Sequence, residues 1–173
     1  MPKISNPILV AILGERVFLR IPERANCLSS VELDQIIATL HRRGMEVFVL
    51  DLTQCTTMDS TFLGVLAGFV LPADSNPKSP SLEIRLRNAN RRITALLESL
   101  CVDHLFTFES ESESCTVVFE TFSMEISEPT KAQVNEISLK AHLQLMEIDP
   151  LNIPKFKDVT QFLREDSKAP PTS

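Results

Sequence analysis

Residues 47–71, VFVLDLTQCTTMDSTFLGVLAGFVL, constrain this chain more than any other stretch. Val47, Phe48, Val49 and Leu50 form an unbroken apolar run rather than an alternation. Such a run suits a strand covered on both faces, in the middle of a sheet. Asp51 and the polar residues after it end the strand. Asp59 and Ser60 are both good N-cap residues, because their side-chain oxygens accept from the free N–H groups of a helix start. From Thr61 to Leu71 nearly every residue is apolar or glycine. A helix with no polar face is either fully enclosed or keeps one side for a partner.

The flanking sequence supplies layers for that strand and helix. Residues 8–13 read as a first strand, with Gly14-Glu15 as a turn. Arg16 to Ile21 then alternates as a half-exposed strand, with Val17, Leu19 and Ile21 on one side and Arg16, Phe18 and Arg20 on the other. Ser29 and Glu32 have the spacing of a capping box. The helix that follows carries the stripe Leu33, Ile36, Ile37 and Leu40, has Arg42 and Arg43 in its last turn, and ends at Gly44. Residues 72–81, with three prolines, form a loop by composition. Leu82, Ile84 and Leu86 point one way along the next strand. Asn88 or Asn90 caps a third helix with Ile93, Leu96, Leu97 and Leu100 on its inner side. Leu105, Phe106 and Phe108 make a short last strand into the core. Strands separated by helices pair in parallel through right-handed crossovers, and the opening hairpin adds an antiparallel element. The fold class expected is α/β, a mixed sheet of about four to five strands with interleaved helices.

The last third is different in character. Residues 109–114 are acidic and polar and read as a turn, and Cys115 to Phe122 has enough apolar residues for an additional strand. Beyond Pro129, Val134, Ile137, Ala141, Leu145 and Ile148 share one helical face, which Asp149-Pro150 interrupts. A shorter helix with Phe156, Val159, Phe162 and Leu163 follows, and disorder is expected from Ser167. The domain division expected is 1–122 for the α/β unit and 123–173 for a mostly helical C-terminal extension with a disordered end. The extension packs on the core, on a second copy of the chain, giving a homodimer, or on a partner.

Composition narrows the function classes. The net charge of −6 arises wholly after residue 104: residues 1–104 hold 11 basic and 11 acidic side chains, and residues 105–173 hold 6 and 12. An acidic tail argues against nucleic acid as ligand, since that binding neutralises phosphates with Lys and Arg. No run approaches the ~18 apolar residues of a membrane span. Met1-Pro2-Lys3 does not open a signal peptide, so the expected location is the cytoplasm. Cys27, Cys55, Cys101 and Cys115, like His41, His104 and His142, have no metal-ligand spacing. No metal site or cofactor is expected. Asp51 and Asp59 stand eight residues apart across a turn without a general base or a phosphate loop, and Cys55 has no activating neighbour in sequence, so the chain is not expected to be an enzyme.

The apolar strand ending in Asp51-Leu52, the short loop and the DSTFLG motif of residues 59–64 resemble the signature of STAS domains, the fold of bacterial anti-sigma-factor antagonists, in which DSSGLG precedes an apolar helix. The resemblance extends more loosely over residues 8–108 and leaves the C-terminal third unexplained. It implies a phosphoacceptor serine at the turn, modified by an anti-sigma factor that is a histidine-kinase-like ATPase and restored by a serine phosphatase. Carried onto this chain, the acceptor is Ser60, with Thr61 as second choice. Leu63 and Gly64 match the end of the motif, whereas Phe62 stands where the family has glycine.

Two readings of this region stay open. Asp59-Ser60 is a helix cap and nothing more, or it is a modification site at which a phosphate adds charge beside Asp59 and weakens an interface matched to a neutral serine. Leu63, Leu66 and Val70 pack on the sheet. Phe62, Val65 and Phe69 either meet a partner or lie under the C-terminal helices. Gly64 and Gly68, four apart, permit a close backbone approach. The functions these readings imply are a partner-switching regulator of transcription or, alternatively, a scaffold subunit of a lipid-transport or signalling assembly without phosphorylation.

Overall fold

The computed structural model describes residues 6–71, 82–110, 117–122 and 128–169. The loop at 72–81, Cys115 and most of the acidic turn, the N-terminal Met1-Pro2-Lys3 and the last four residues lie outside these. Strands β1 (Leu9–Leu13) and β2 (Arg16–Arg20) form the opening hairpin, with Gly14 at φ +59°, a left-handed turn position. A two-residue strand β3 (Arg24–Ala25) precedes helix α1 (Cys27–Arg42). Strand β4 (Val47–Asp51), a two-residue β5 (Thr57–Met58) and helix α2 (Ser60–Val70) make up the central stretch. Then come β6 (Glu83–Arg87), α3 (Arg91–Ser99), β7 (Thr107–Glu109), β8 (Glu120–Thr121), α4 (Lys131–Ile148) and α5 (Ile153–Lys168).

The main sheet has six strands in the order β7-β6-β4-β2-β1-β8. The β2, β4, β6 and β7 pairings are parallel, and β1 is antiparallel to both its neighbours. Strand β4 lies inside the sheet with Phe48, Val49 and Leu50 fully buried, as its continuous apolar run requires. The strand count exceeds the expected four to five because β8 adds to the β1 edge. Helix α3 is capped by Asn90, whose side chain accepts from the Ile93 N–H at 3.0 Å, and buries Ile93 and Leu97.

Four local expectations are corrected. The cap of α1 is Asn26, not Ser29: the Asn26 carboxamide accepts from Leu28 and Ser29 N–H groups while the Ser29 hydroxyl accepts from the Asn26 N–H, so the box is shifted by one turn. Phe18 is buried, because the segment 117–119 crosses that sheet face. Val117 and Phe119 pack against Phe18, Ala11 and Val49 there. The Arg20 guanidinium stacks 3.9 Å from the Phe119 ring centre. Phe108 is 47 % exposed, since β7 is an edge strand. Helix α5 continues through Ser167, where disorder was expected to begin.

Glu32, freed from capping, is 3 % exposed inside the core side of α1. One carboxylate oxygen accepts from the Ile8 N–H at 3.1 Å, and the other has no partner among the described residues. Burial pushes its pKa up from 4.5 to about 7, against the opposing pull of the Ile8 N–H. The folded chain therefore binds more protons than the unfolded chain between those values. The stability tied to protonated Glu32 is complete below pH 4.5 and lost as pH rises through about 7. Glu32→Gln keeps an acceptor for Ile8 without the charge. In urea melts its stability relative to the wild type should be greater at pH 8 than at pH 4. A gap that does not change with pH would contradict this assignment.

Candidate functional site

The Asp59-Ser60 turn is held from several sides before any side-chain chemistry enters. Strands β3 and β5 pair in parallel, and the Asp59 N–H donates to the Ala25 carbonyl at 2.9 Å. Asn90, at the start of α3, donates its carboxamide N–H to the Cys55 carbonyl at 2.9 Å. The Asp59 carboxylate accepts from the Phe62 N–H at 2.8 Å and so caps α2, as its residue type predicts. Burial raises the Asp59 pKa, and the helix N–H groups and His142 oppose that shift. Ser60 is the first helical residue and is half-buried.

The side chain that meets Ser60 comes from the C-terminal extension. The Ser60 Oγ lies 2.8 Å from Nε2 of His142, on α4. The other ring nitrogen, Nδ1, lies 2.7 Å from the Ser138 carbonyl. A carbonyl can only accept, so Nδ1 carries the proton of the neutral ring. Nε2 then presents a lone pair, and the Ser60 hydroxyl donates to it. Burial holds the His142 pKa below its ordinary value, with the Ser138 carbonyl and Asp59 pulling the other way, which favours this neutral form. Phe156 of α5 closes over the imidazole with its ring centre 4.8 Å away. Thr61 is 5 % exposed, with its hydroxyl 3.5 Å from that of Ser138, so it is a less accessible acceptor than Ser60.

Helix α4 lies along the same side of α2. A Cβ on Gly64 would sit 2.5 Å from the Ala141 carbonyl oxygen, and one on Gly68 would meet the Gln144 carboxamide. Gly64 therefore lets the helix backbones touch, and Gly68 makes room for the Gln144 side chain. Ile137, Ala141 and Leu145 of α4 are buried in the main core, as the shared helical face predicts. Among the three ways open to the extension, the described structure has α4 on the chain's own core. Phe62 is fully buried, Val65 is 6 % exposed and Phe69 is half-buried. Phe62 is thus core in this conformation. Between α1, α2 and α4 there remains a cavity of about 50 Å³ lined by Val65, Phe69, Asp34 and Gln144, among others.

The extension is anchored at its hinge as well. Asn152, fully buried between α4 and α5, donates to the carbonyls of Leu100 and Leu145, each at 2.9 Å. The Lys155 ammonium reaches the Ser99 carbonyl at the end of α3, where a cation suits the helix dipole. Lys131 and Asn135 of α4 both bond Asp166 of α5.

Other candidates do not gather into a site. Asp51 pairs with Arg20 at 3.3 Å and accepts from the Thr53 hydroxyl at 2.6 Å, whereas Asp59 serves α2. Cys55 is buried, with its thiol 3.3 Å from the Thr57 carbonyl. Among the described residues no group of three or more His, Cys, Asp or Glu is arranged to hold a metal ion, and no helix is long and apolar enough to cross a membrane. The residue that sequence reasoning missed is His142. Its one signal is position: with Ser138 it falls at i, i+4 beside the apolar stripe of α4, a polar pair on a face that packs.

No family model matches the sequence, and no curated protein matches it. The fold does have relatives among solved structures. The NMR structure of the protein TM1081 shares 16 % identity over 64 % of this chain and 84 % of its own, with a TM-score of 0.51. A crystal structure of the same Thermotoga maritima protein, given there as a candidate anti-sigma factor antagonist, shares 18 % identity over 61 % and 88 %, with a TM-score of 0.48. The Bacillus cell fate determinant SpoIIAA in its phosphorylated form shares 14 % over 62 % and 95 %, at 0.47. The architecture is STAS-type, and helices α4 and α5 follow β8 in the chain.

The close approach at Gly64 is directly testable. Gly64→Ala should destabilise the chain, because overpacking costs about 1–3 kcal/mol and the helix preference of alanine returns only about 1 kcal/mol. Urea denaturation reads the difference. A variant more stable than the wild type would mean that α2 and α4 are not in backbone contact.

Proposed function

We propose that this chain is a regulatory STAS-type protein whose partner engagement is set by the chemical state of Ser60. The partner is an anti-sigma factor of the histidine-kinase-like ATPase type, which acts as a serine kinase, and a serine phosphatase reverses the mark. Asp59, Val65 and Phe69 border the surface such a partner would use. The protein is the substrate of this chemistry and not a catalyst, and it acts in the cytoplasm of a bacterium to regulate transcription.

One observation carries this reading. Ser60 is a half-exposed hydroxyl at the first turn of α2, held by a fixed turn and engaged in a contact that depends on its being neutral. The transfer it would undergo is balanced: the Oγ–P bond forms as the bond from the γ-phosphorus of ATP to its leaving oxygen breaks. ADP departs, and the hydroxyl proton passes to a base. A phosphate there brings about −1.5 to −2 charges beside Asp59. Free N–H groups at the helix start can hold part of that charge, so the α/β unit need not unfold.

Incubation of the purified chain with its cognate kinase and ATP, followed by peptide mass spectrometry, tests the proposal. The expected result is a single phosphoryl group on the peptide containing Ser60, absent from Ser60→Ala. An unmodified Ser60 under conditions where the kinase is active would remove the switch.

A further inference from the structure

The helix that depends on a neutral Ser60 in this molecule belongs to the molecule itself. Three features place α4 where a docking partner on α2 would have to lie. The Gly64 and Gly68 positions are filled by the Ala141 backbone and the Gln144 side chain. The Ser60 hydroxyl is engaged by His142. Phe156 of α5 packs against the imidazole with ring centres 4.8 Å apart. The buried α4 residues interleave polar and apolar side chains, Ile137, Ser138, Ala141, His142 and Leu145, and of these Ser138 and His142 reach the first turn of α2.

We propose that α4–α5 is an intramolecular cap on α2, latched by the Ser60–His142 contact, and that a phosphoryl group on Ser60 releases it. At 2.8 Å the Oγ and Nε2 are separated by one shared proton and nothing else. The phosphorus replaces that proton and brings three oxygens into the gap. They would face a lone pair, because the Ser138 carbonyl fixes the imidazole proton on Nδ1. Asp59, at the preceding position, adds charge of the same sign. Turning the phosphorylated side chain out to solvent relieves the clash but leaves Nε2 buried without a donor, which also disfavours docking. Either response loosens α4 from α2 and exposes Gly64, Val65 and Gly68. The sense of the switch follows: unmodified Ser60 keeps the cap closed, and the modified residue opens it. A partner that uses this side of α2 thus competes with α4.

The cap rests on Ser60 being the modified residue, yet its test is independent of any kinase. Phosphoserine is placed at position 60 of the full chain by suppression of a stop codon, and amide hydrogen exchange is read by mass spectrometry. The expected result is exchange over residues 131–148 faster by about tenfold or more than in the unmodified chain, with β4 still protected. Gly64→Ala serves as the comparison, since it should open α4 without altering Ser60. Unchanged or slower exchange of α4 in the phosphoserine chain, with β4 protected, would overturn the cap; slower exchange would mean that phosphate and imidazolium pair instead. Loss of β4 protection together with α4 would equally overturn it, because the switch would then unfold the domain rather than uncap it. If the cap fails here while Ser60 is still found phosphorylated by its kinase, the partner switch stands and only its coupling to α4 is lost.

Discussion

The contact of α2 with α4 is the constraint on which the rest of the molecule depends. Helix α2 has no polar face, so the sheet alone cannot satisfy it. One side meets the sheet and α1; the other needs a second cover. Glycine at 64 allows that cover to come in at backbone distance, with the Ala141 carbonyl where a side chain would otherwise stand. The close approach brings the polar pair Ser138 and His142 over the first turn of α2 and so onto Ser60 and Thr61. The engagement and half-burial of Ser60 follow from where α4 lies.

This arrangement gives the C-terminal extension a definite role in the fold. It is a second helical layer, fixed at the hinge by Asn152 and at the α3 terminus by Lys155. The hinge bonds involve buried backbone carbonyls, which would be costly to leave unpaired. The latch near Ser60 is of another kind. It is one hydrogen bond between a half-exposed hydroxyl and a neutral imidazole, and the chemistry of a single side chain decides whether it forms. The hinge is thus held by buried bonds to the backbone, and the contact near Ser60 by a single bond between side chains.

Much of this was legible in the residues. The apolar run at 47–50 predicts an interior strand, and β4 is one; the Asp59 side chain predicts a cap, and it caps α2. The i, i+3, i+4 stripe from Val134 to Ile148 predicts the buried face of α4. What could not be read is what depends on pairing across distance. Ser60 and His142 are 82 residues apart, and no local pattern joins them. Phe18 looks half-exposed because its strand alternates; it is buried because the segment at 117–119, a hundred residues on, crosses its face. The α1 cap differs from its sequence pattern for a subtler reason. Ser29 and Glu32 fit a capping box, but Asn26 with Ser29 fits one too, and burial of Glu32 beneath Ile8 settles which is used.

The central claim, that α4 of the same chain rests on α2 above Ser60, is tested most directly by the nuclear Overhauser effect in solution. At backbone contact distance the α protons of Gly64 and the methyl protons of Ala141 must show a strong cross-peak in the unmodified chain, and isotope dilution with unlabelled chain must leave it undiminished as an intramolecular signal. A spectrum with both residues assigned and no such cross-peak, or one that weakens on dilution with unlabelled chain, would contradict the account.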